Sequence, residues 1–190
     1  MAIEELVKLI PPPSEPLESG DVDSWIHVTR DVGLNLPEDL REFGQRYGSG
    51  MFCRTYLQVF NPFSVYYRQM IDYECALLRK LESICGLLPY NVHPHRPGLL
   101  PCGRDEEGDG MYWLTDGDPN KWPIMLRSRD EDVNEAFERW DVSLTTFLAG
   151  ILSNETKCLL WHRPFSKKLR IFTPGRTQAE VAANHLKCRK

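Results

Sequence analysis

The sequence has no long hydrophobic run. None of its apolar stretches approaches the ~20 residues needed to span a bilayer, which excludes a membrane-embedded helical fold. It has no CxxC pair, although it carries six cysteines (Cys53, Cys75, Cys85, Cys102, Cys158 and Cys188). At such irregular spacings they read as reduced thiols, and those at core-like positions act as small hydrophobes. A basic segment is missing from the opening MAIEELVKLIPPP, which carries Glu4 and Glu5 and spaced apolar positions. It does not read as a secretory signal, and the expectation is a cytoplasmic protein. There is no internal repeat and no low-complexity segment.

Catalytic motifs are equally scarce. Gly48-Ser49-Gly50 follows a helix-like stretch, so it is not the strand–Ser–helix elbow of a hydrolase. The same GSGMFC lacks the third glycine and the following helix N-terminus of a phosphate cradle. No nucleophile–base pair stands out, and the expectation is a protein that is not an enzyme and needs no cofactor.

What is present is a charge asymmetry. Residues 1–156 carry fourteen lysines and arginines against twenty-six acids; residues 157–190 carry nine against one, Glu180. An acidic body repels phosphate backbones and attracts basic partners. With 190 residues the chain suggests one domain, able to bury about 70% of its surface without a disulfide or metal.

The most patterned stretch is Leu99–Leu126, LLPCGRDEEGDGMYWLTDGDPNKWPIML, which reads as strand, turn, strand, turn, strand. Gly108-Asp109-Gly110 supplies the first reversal and Asp116-Gly117-Asp118-Pro119-Asn120 the second. This meander holds six carboxylates and two tryptophans.

Helices flank it. Ile3 to Ile10 shows 3–4 spacing and ends at Pro11-Pro12-Pro13. Val22–Val32 has Asp21 as N-cap and Gly33 past its end. A third helix starts at Pro37, with acids in its first turn and Gly48 beyond its end. Met51–Phe60 is rich in strand formers. A long helix follows to about Ile84, with Met70, Tyr73, Leu77, Leu81 and Ile84 as its buried face. Gly86–Gly98 reads as loop. Glu135–Trp140 is a short segment, and Ser143 caps a helix whose stripe is Leu144, Phe147, Leu148, Ile151 and Leu152. In the tail, Lys168–Thr173 reads as an edge strand and Thr177–Leu186 as a helix. The order predicts an α+β fold, a central antiparallel or mixed sheet of about five to six strands flanked by helices. The expected organisation is an N-terminal helix and Pro-rich linker over 1–20, the domain over 21–156, and a basic extension over 157–190 that could pack on it.

Two metal readings fall short. Asp105, Glu107, Asp109, Gly110 and Asp116 match positions 1, 3, 5, 6 and 12 of an EF-hand loop, but the flanks carry Pro101 and Gly103 and look β-like. Cys85, His93, His95 and Cys102 are suitable zinc ligands at unsuitable spacings. A solvated hairpin with ionised acids accounts for the cluster better than a metal or a catalytic carboxylate pair. Tyr112, Trp113 and Trp122 leave two readings open: core residues at alternate strand positions, or aromatic anchors of a protein interface.

The string Leu36-Pro37-Glu38-Asp39-Leu40-Arg41-Glu42-Phe43, then Tyr47-Gly48-Ser49-Gly50, resembles the opening of the SUKH superfamily. So do Leu100-Pro101-Cys102-Gly103-Arg104-Asp105 with Gly108-Asp109, Tyr112-Trp113 and Trp122-Pro123-Ile124. Ser143-Leu144-Thr145-Thr146-Phe147-Leu148 is similar to its closing helix. The resemblance covers roughly residues 20–153 and leaves 157–190 unmatched. It implies an α+β fold without catalysis, in a superfamily of yeast cell-wall-synthesis regulators and bacterial immunity proteins that neutralise toxins. The function expected is that of an immunity protein binding a basic toxin domain; a regulatory scaffold comes second, and a nucleic-acid binder through the tail, with Trp161, Phe165 and Phe172 interleaved among its bases, third. The expected partner-binding residues are Asp105, Glu106, Glu107, Asp109, Tyr112, Trp113, Asp116, Asp118 and Trp122; catalytic and metal residues are expected to be none.

Overall fold

The computed structural model describes residues 2–86, 88–131, 135–161 and 164–187. Local sequence physics sets most of its helices. Helix α1 (Ala2–Leu9) turns Ile3 and Leu6 inward, and Ile10 follows them into the core. Helix α2 (Val22–Val32) starts on Asp21, whose side chain accepts from the Ser24 N–H at 2.9 Å, and stops on Gly33 in the left-handed region. Helix α3 (Glu38–Tyr47) follows Pro37 and ends at Gly48. Helix α4 (Tyr67–Cys85) is the longest. Helix α5 (Leu144–Ser153) is capped by Ser143, and its predicted stripe is buried throughout. Helix α6 (Gln178–Lys187) opens on a reciprocal cap: Thr177 Oγ1 accepts from the Glu180 N–H at 3.2 Å, and the Glu180 carboxylate accepts from the Thr177 N–H at 3.2 Å.

Among the described residues the sheet has eight strands: β1 (Gly50–Phe52), β2 (Leu57–Val59), β3 (Asn91–Val92), β4 (Gly98–Asp105), β5 (Gly110–Leu114), β6 (Ile124–Arg127), β7 (Phe137–Trp140) and β8 (Phe172–Pro174). Their order is β7-β6-β5-β4-β2-β1-β8. The short β3 runs parallel to the first residues of β4, and β2 pairs with its last ones; the other pairs are antiparallel. The fold is α+β in one domain.

The sheet is larger than the five to six strands expected. Met51–Phe60 is two strands, because the chain reverses between them with Cys53 and Arg54 at φ 55° and 74°. Turns of that kind are ordinarily signalled by Gly or Asn, so the reversal is silent in the sequence. The Gly86–Gly98 stretch, read as loop, contributes β3. In the tail, β8 occupies the edge beside β1, and α6 packs on both.

A second correction concerns α4. The sheet takes Tyr67, Ile71, Cys75 and Leu78 from it; of the expected row, Met70 and Leu81 are half-buried against the core, while Tyr73, Leu77 and Ile84 are exposed. Periodicity selected the neighbouring of two apolar rows, since both repeat at 3–4 spacing.

Helices α1, α3 and α5 pack together. Phe52 meets Phe43 and Tyr47 of α3, and its ring lies 5.0 Å from Phe172 of β8. The Pro-rich linker is fastened as well. Glu18, at φ 59°, accepts from Ser49 Oγ at 2.6 Å and from Arg176 Nε at 3.0 Å, and its carbonyl accepts from Asn61 Nδ2 at 2.9 Å. Gly48 sits so close to this linker that a Cβ there would lie 2.2 Å from the Leu17 carbonyl oxygen. Burial works against the Glu18 charge, but hydrogen bonds from Ser49, Arg176, Ser64 and Val65 hold its carboxyl below the usual glutamate range.

A carboxyl depressed by folding adds stability above its unfolded pKa and loses it as the pH falls through the folded value. Urea titrations at neutral pH and near pH 3 should therefore show Glu18→Gln less stable than the wild type at neutral pH, with the gap closing in acid. A gap that persists unchanged in acid would remove the charge from the explanation.

Candidate protein-binding surface

The β4–β5 turn is built around one oxygen. Asp105 Oδ1 accepts from the backbone N–H groups of Glu107, Gly108 and Asp109 at 3.0, 2.9 and 2.9 Å. The Asp105 N–H closes the turn onto the Asp109 carbonyl at 3.0 Å, and Gly108 provides the positive φ of 96°. Asp105 is only 4% exposed. Burial pushes its carboxyl above the usual aspartate range and the Asp109 charge adds to that; the backbone donors and the Tyr56 side chain oppose it.

Asp109 is also internal. Its Oδ1 accepts from the Arg129 N–H at 2.8 Å, and Arg129 Nη1 donates to the Glu107 carbonyl at 2.7 Å. The β4–β5 turn and the start of the β6–β7 turn are thereby stitched together.

Five of the nine residues expected to touch a partner lie inside. Asp105, Asp109, Tyr112, Trp113 and Trp122 are all buried and leave a partner almost no surface to touch. Trp113 and Trp122 pack on each other with ring centroids 6.5 Å apart, and Trp122 Nε1 donates to the Gly117 carbonyl at 3.3 Å. The expectation of a wholly solvated, ionised hairpin is corrected by the same burial. Strands β4, β5 and β6 are covered on both faces, so alternation does not sort inward from outward positions.

Glu106, Glu107, Asp116 and Asp118 remain at the surface. They do not form one patch. Glu106 and Glu107 stand at the β4–β5 turn, whereas Asp116 and Asp118 stand at the opposite end, where β5 turns into β6. Glu106 accepts from Thr55 Oγ1 at 3.0 Å, and Asp118 caps the following 3₁₀ turn through the Asn120 N–H at 3.1 Å. The sequence reading missed Asp130 and Glu131, which are exposed just after Arg129. The hairpin register of β5, β6 and β7 brings them to the same end as Glu106 and Glu107, and alternate turns of a meander are the signal that places them. Glu135 is exposed beyond residues 132–134, which lie outside the described residues.

A second feature had no sequence signal beyond one charged residue on an apolar helix face. A cleft of about 510 Å³ lies between α4, the sheet and the start of α6. Gln58 and Arg104, register partners on β2 and β4, line it together with Tyr66, Tyr73 and Glu74. Glu74 is buried and pairs with Arg104 at 3.4 Å; burial raises its carboxyl above the usual range, while Arg104 and Arg127 act in the other direction.

Metal chemistry gains no geometry. Among the described residues no three His, Cys, Asp or Glu side chains come together to hold an ion. The Asp105 and Asp109 carboxylates are engaged by backbone N–H groups, and Cys102 is fully buried whereas Cys85 is exposed. Cys188 lies outside the described residues. In the tail, Trp161 and Phe165 are buried in the core and Phe172 packs against it, so the aromatic interleaving expected of a base-stacking arm is core packing instead. No helix among the described residues is long and apolar enough to cross a membrane.

A family model described as SUKH_6: SMI1-KNR4 cell-wall matches residues 23–148. The chain belongs to this SUKH family. The match runs from α2 into α5 and includes the meander and both acidic turns. It leaves α1, β8 and α6 outside, so the SUKH region is completed here by the segments on either side of it. No curated protein and no solved structure matches the chain.

The role given to Asp105 is testable by denaturation. Asp105→Ala removes the acceptor of three turn N–H groups, of which that of Asp109 is buried, and should cost about 2 kcal/mol, whereas Asp105→Asn keeps the Oδ1 acceptor and should stay within about 1 kcal/mol of wild type. A carboxyl raised by folding favours the folded state more as the pH falls towards its unfolded pKa. The asparagine variant should therefore lack the contribution of Asp105 and lose stability relative to wild type as the pH falls from 7 to 4. Equal losses in both variants would show that the carboxylate acts by some means other than accepting those bonds.

Proposed function

We propose that this SUKH protein is a non-enzymatic, cytoplasmic immunity-type protein that binds and neutralises a basic toxin domain. The observation that carries the reading is the pair of stitched acidic turns on a SUKH fold. Glu106, Glu107, Asp130 and Glu131 stand exposed at one end of the sheet, on turns held by Asp105, Asp109 and Arg129. Turn backbone held in this way loses little conformational freedom on binding, which lowers the cost of association. The surplus of acids over residues 1–156 adds a long-range field that draws in a cationic partner and speeds encounter.

The basic residues of the tail are partly engaged. Arg176 pairs with Glu18, and Arg170 Nη2 donates to the Ser153 carbonyl at 2.8 Å. That supports a reading in which the tail completes the fold, and weighs against a free docking arm for a scaffold or for nucleic acid.

The direct test is co-expression in a bacterial host with the protein encoded immediately upstream. Growth arrest by that neighbour alone, relieved by this protein, is the expected result; a neighbour that is harmless, or toxic and not relieved, removes the proposal. With the neighbour in hand, Glu106→Lys/Glu107→Lys/Glu131→Lys should slow association at low salt by about tenfold or more and leave the unfolding midpoint near wild type. An unchanged association rate would move the contact away from this end of the sheet.

A further inference from the structure

Helix α4 is apolar over a wider arc than the sheet covers. Tyr67, Ile71, Cys75 and Leu78 face the core. A second row, Tyr66, Met70, Tyr73, Leu77, Leu81 and Ile84, runs the length of the helix at spacings of four and three, the spacing of a seam between paired helices. Four of its six side chains are open to solvent, with Tyr73 54% exposed, Leu77 44% and Ile84 71%, while Met70 and Leu81 are half-buried against the core.

The two halves of this row differ. The N-terminal half, Tyr66, Met70 and Tyr73, forms one wall of the 510 Å³ cleft. The C-terminal half, Leu77, Leu81 and Ile84, is aliphatic and ends on its most exposed side chain. One helix thus carries a socket at one end and apolar knobs at the other. Such a surface is self-complementary under a twofold axis, where residue i meets residue j and j meets i.

We propose that two copies of this chain associate through α4, antiparallel, about an axis that passes between Tyr73 and Leu77. Leu77 of each copy then packs on Tyr73 of the other, and Leu81 and Ile84 enter the cleft beside Met70 and Tyr66. The antiparallel arrangement opposes the two helix dipoles favourably. It also sets Lys80, which borders the row, beside Gln69 and Met70 of the other copy. The row spans about 27 Å at 1.5 Å per residue. Together with the cleft walls it offers on the order of 600 Å² per copy, near the lower limit of specific interfaces. The dimer is tested accordingly at micromolar concentrations. It uses a different surface from the acidic turns and stands or falls separately from the immunity reading.

Sedimentation of the full chain from about 1 to 200 µM is the test. The expected result is a mass rising from 22.0 kDa towards twice that value. Leu77→Glu, at an exposed position, should weaken association at least twentyfold while circular dichroism and the urea midpoint stay near wild type; Glu155→Lys, off the row, should leave association intact. A monomer throughout the range overturns the proposal. So does a dimer indifferent to Leu77→Glu. A chain that stays monomeric but loses its complex with the upstream neighbour on Leu77→Glu would give the row to that partner, and overturns it as well.

Discussion

Three neighbouring N–H groups in a tight turn must find acceptors, and in this protein one buried carboxylate oxygen supplies them. That constraint governs the end of the sheet. It draws Asp105 inside, against the desolvation cost that raises its pKa, and fixes the path on which Glu106 and Glu107 are presented. Asp109 extends the arrangement by receiving the Arg129 N–H, so that a second turn inherits the geometry of the first. The acids that remain outside are held in place by acids that are not. A surface of this kind is rigid because its neighbours in sequence have been internalised.

Much of the fold was legible. Asp21, Gly33, Pro37 and Ser143 mark helix ends because capping is a local demand of unpaired backbone groups, and local demands leave local residue preferences. The meander was legible from its glycines for the same reason. The site was less so. Burial of Tyr112, Trp113 and Trp122 depends on what covers the sheet, and strands covered on both faces carry no alternation to read. The split of Met51–Phe60 hides in Cys53 and Arg54, two residues that take up left-handed backbone without the usual glycine or asparagine. On α4 the pattern was seen correctly, but two apolar rows obeyed it and only the tertiary structure chooses between them.

The basic tail illustrates how charge and packing can diverge. Its net charge suggested an arm reaching for an anionic ligand. Its aromatic residues instead join the core, its strand closes the sheet edge beside β1, and Arg176 reaches back to Glu18. Composition reports which side chains are available; it says little about which are already committed to the chain itself.

The clasp between Glu18 and Arg176 has a practical meaning. Both residues lie outside the span shared with the SUKH family, one before it and one after. Trimming the chain to residues 23–148 would cut α5 in its middle, strip α1 from its partners and leave β1 as an uncapped edge with unpaired backbone groups. Such an edge is a template for strand addition from other molecules. For this protein the span matched to the family is therefore narrower than the set of segments that pack together in the fold.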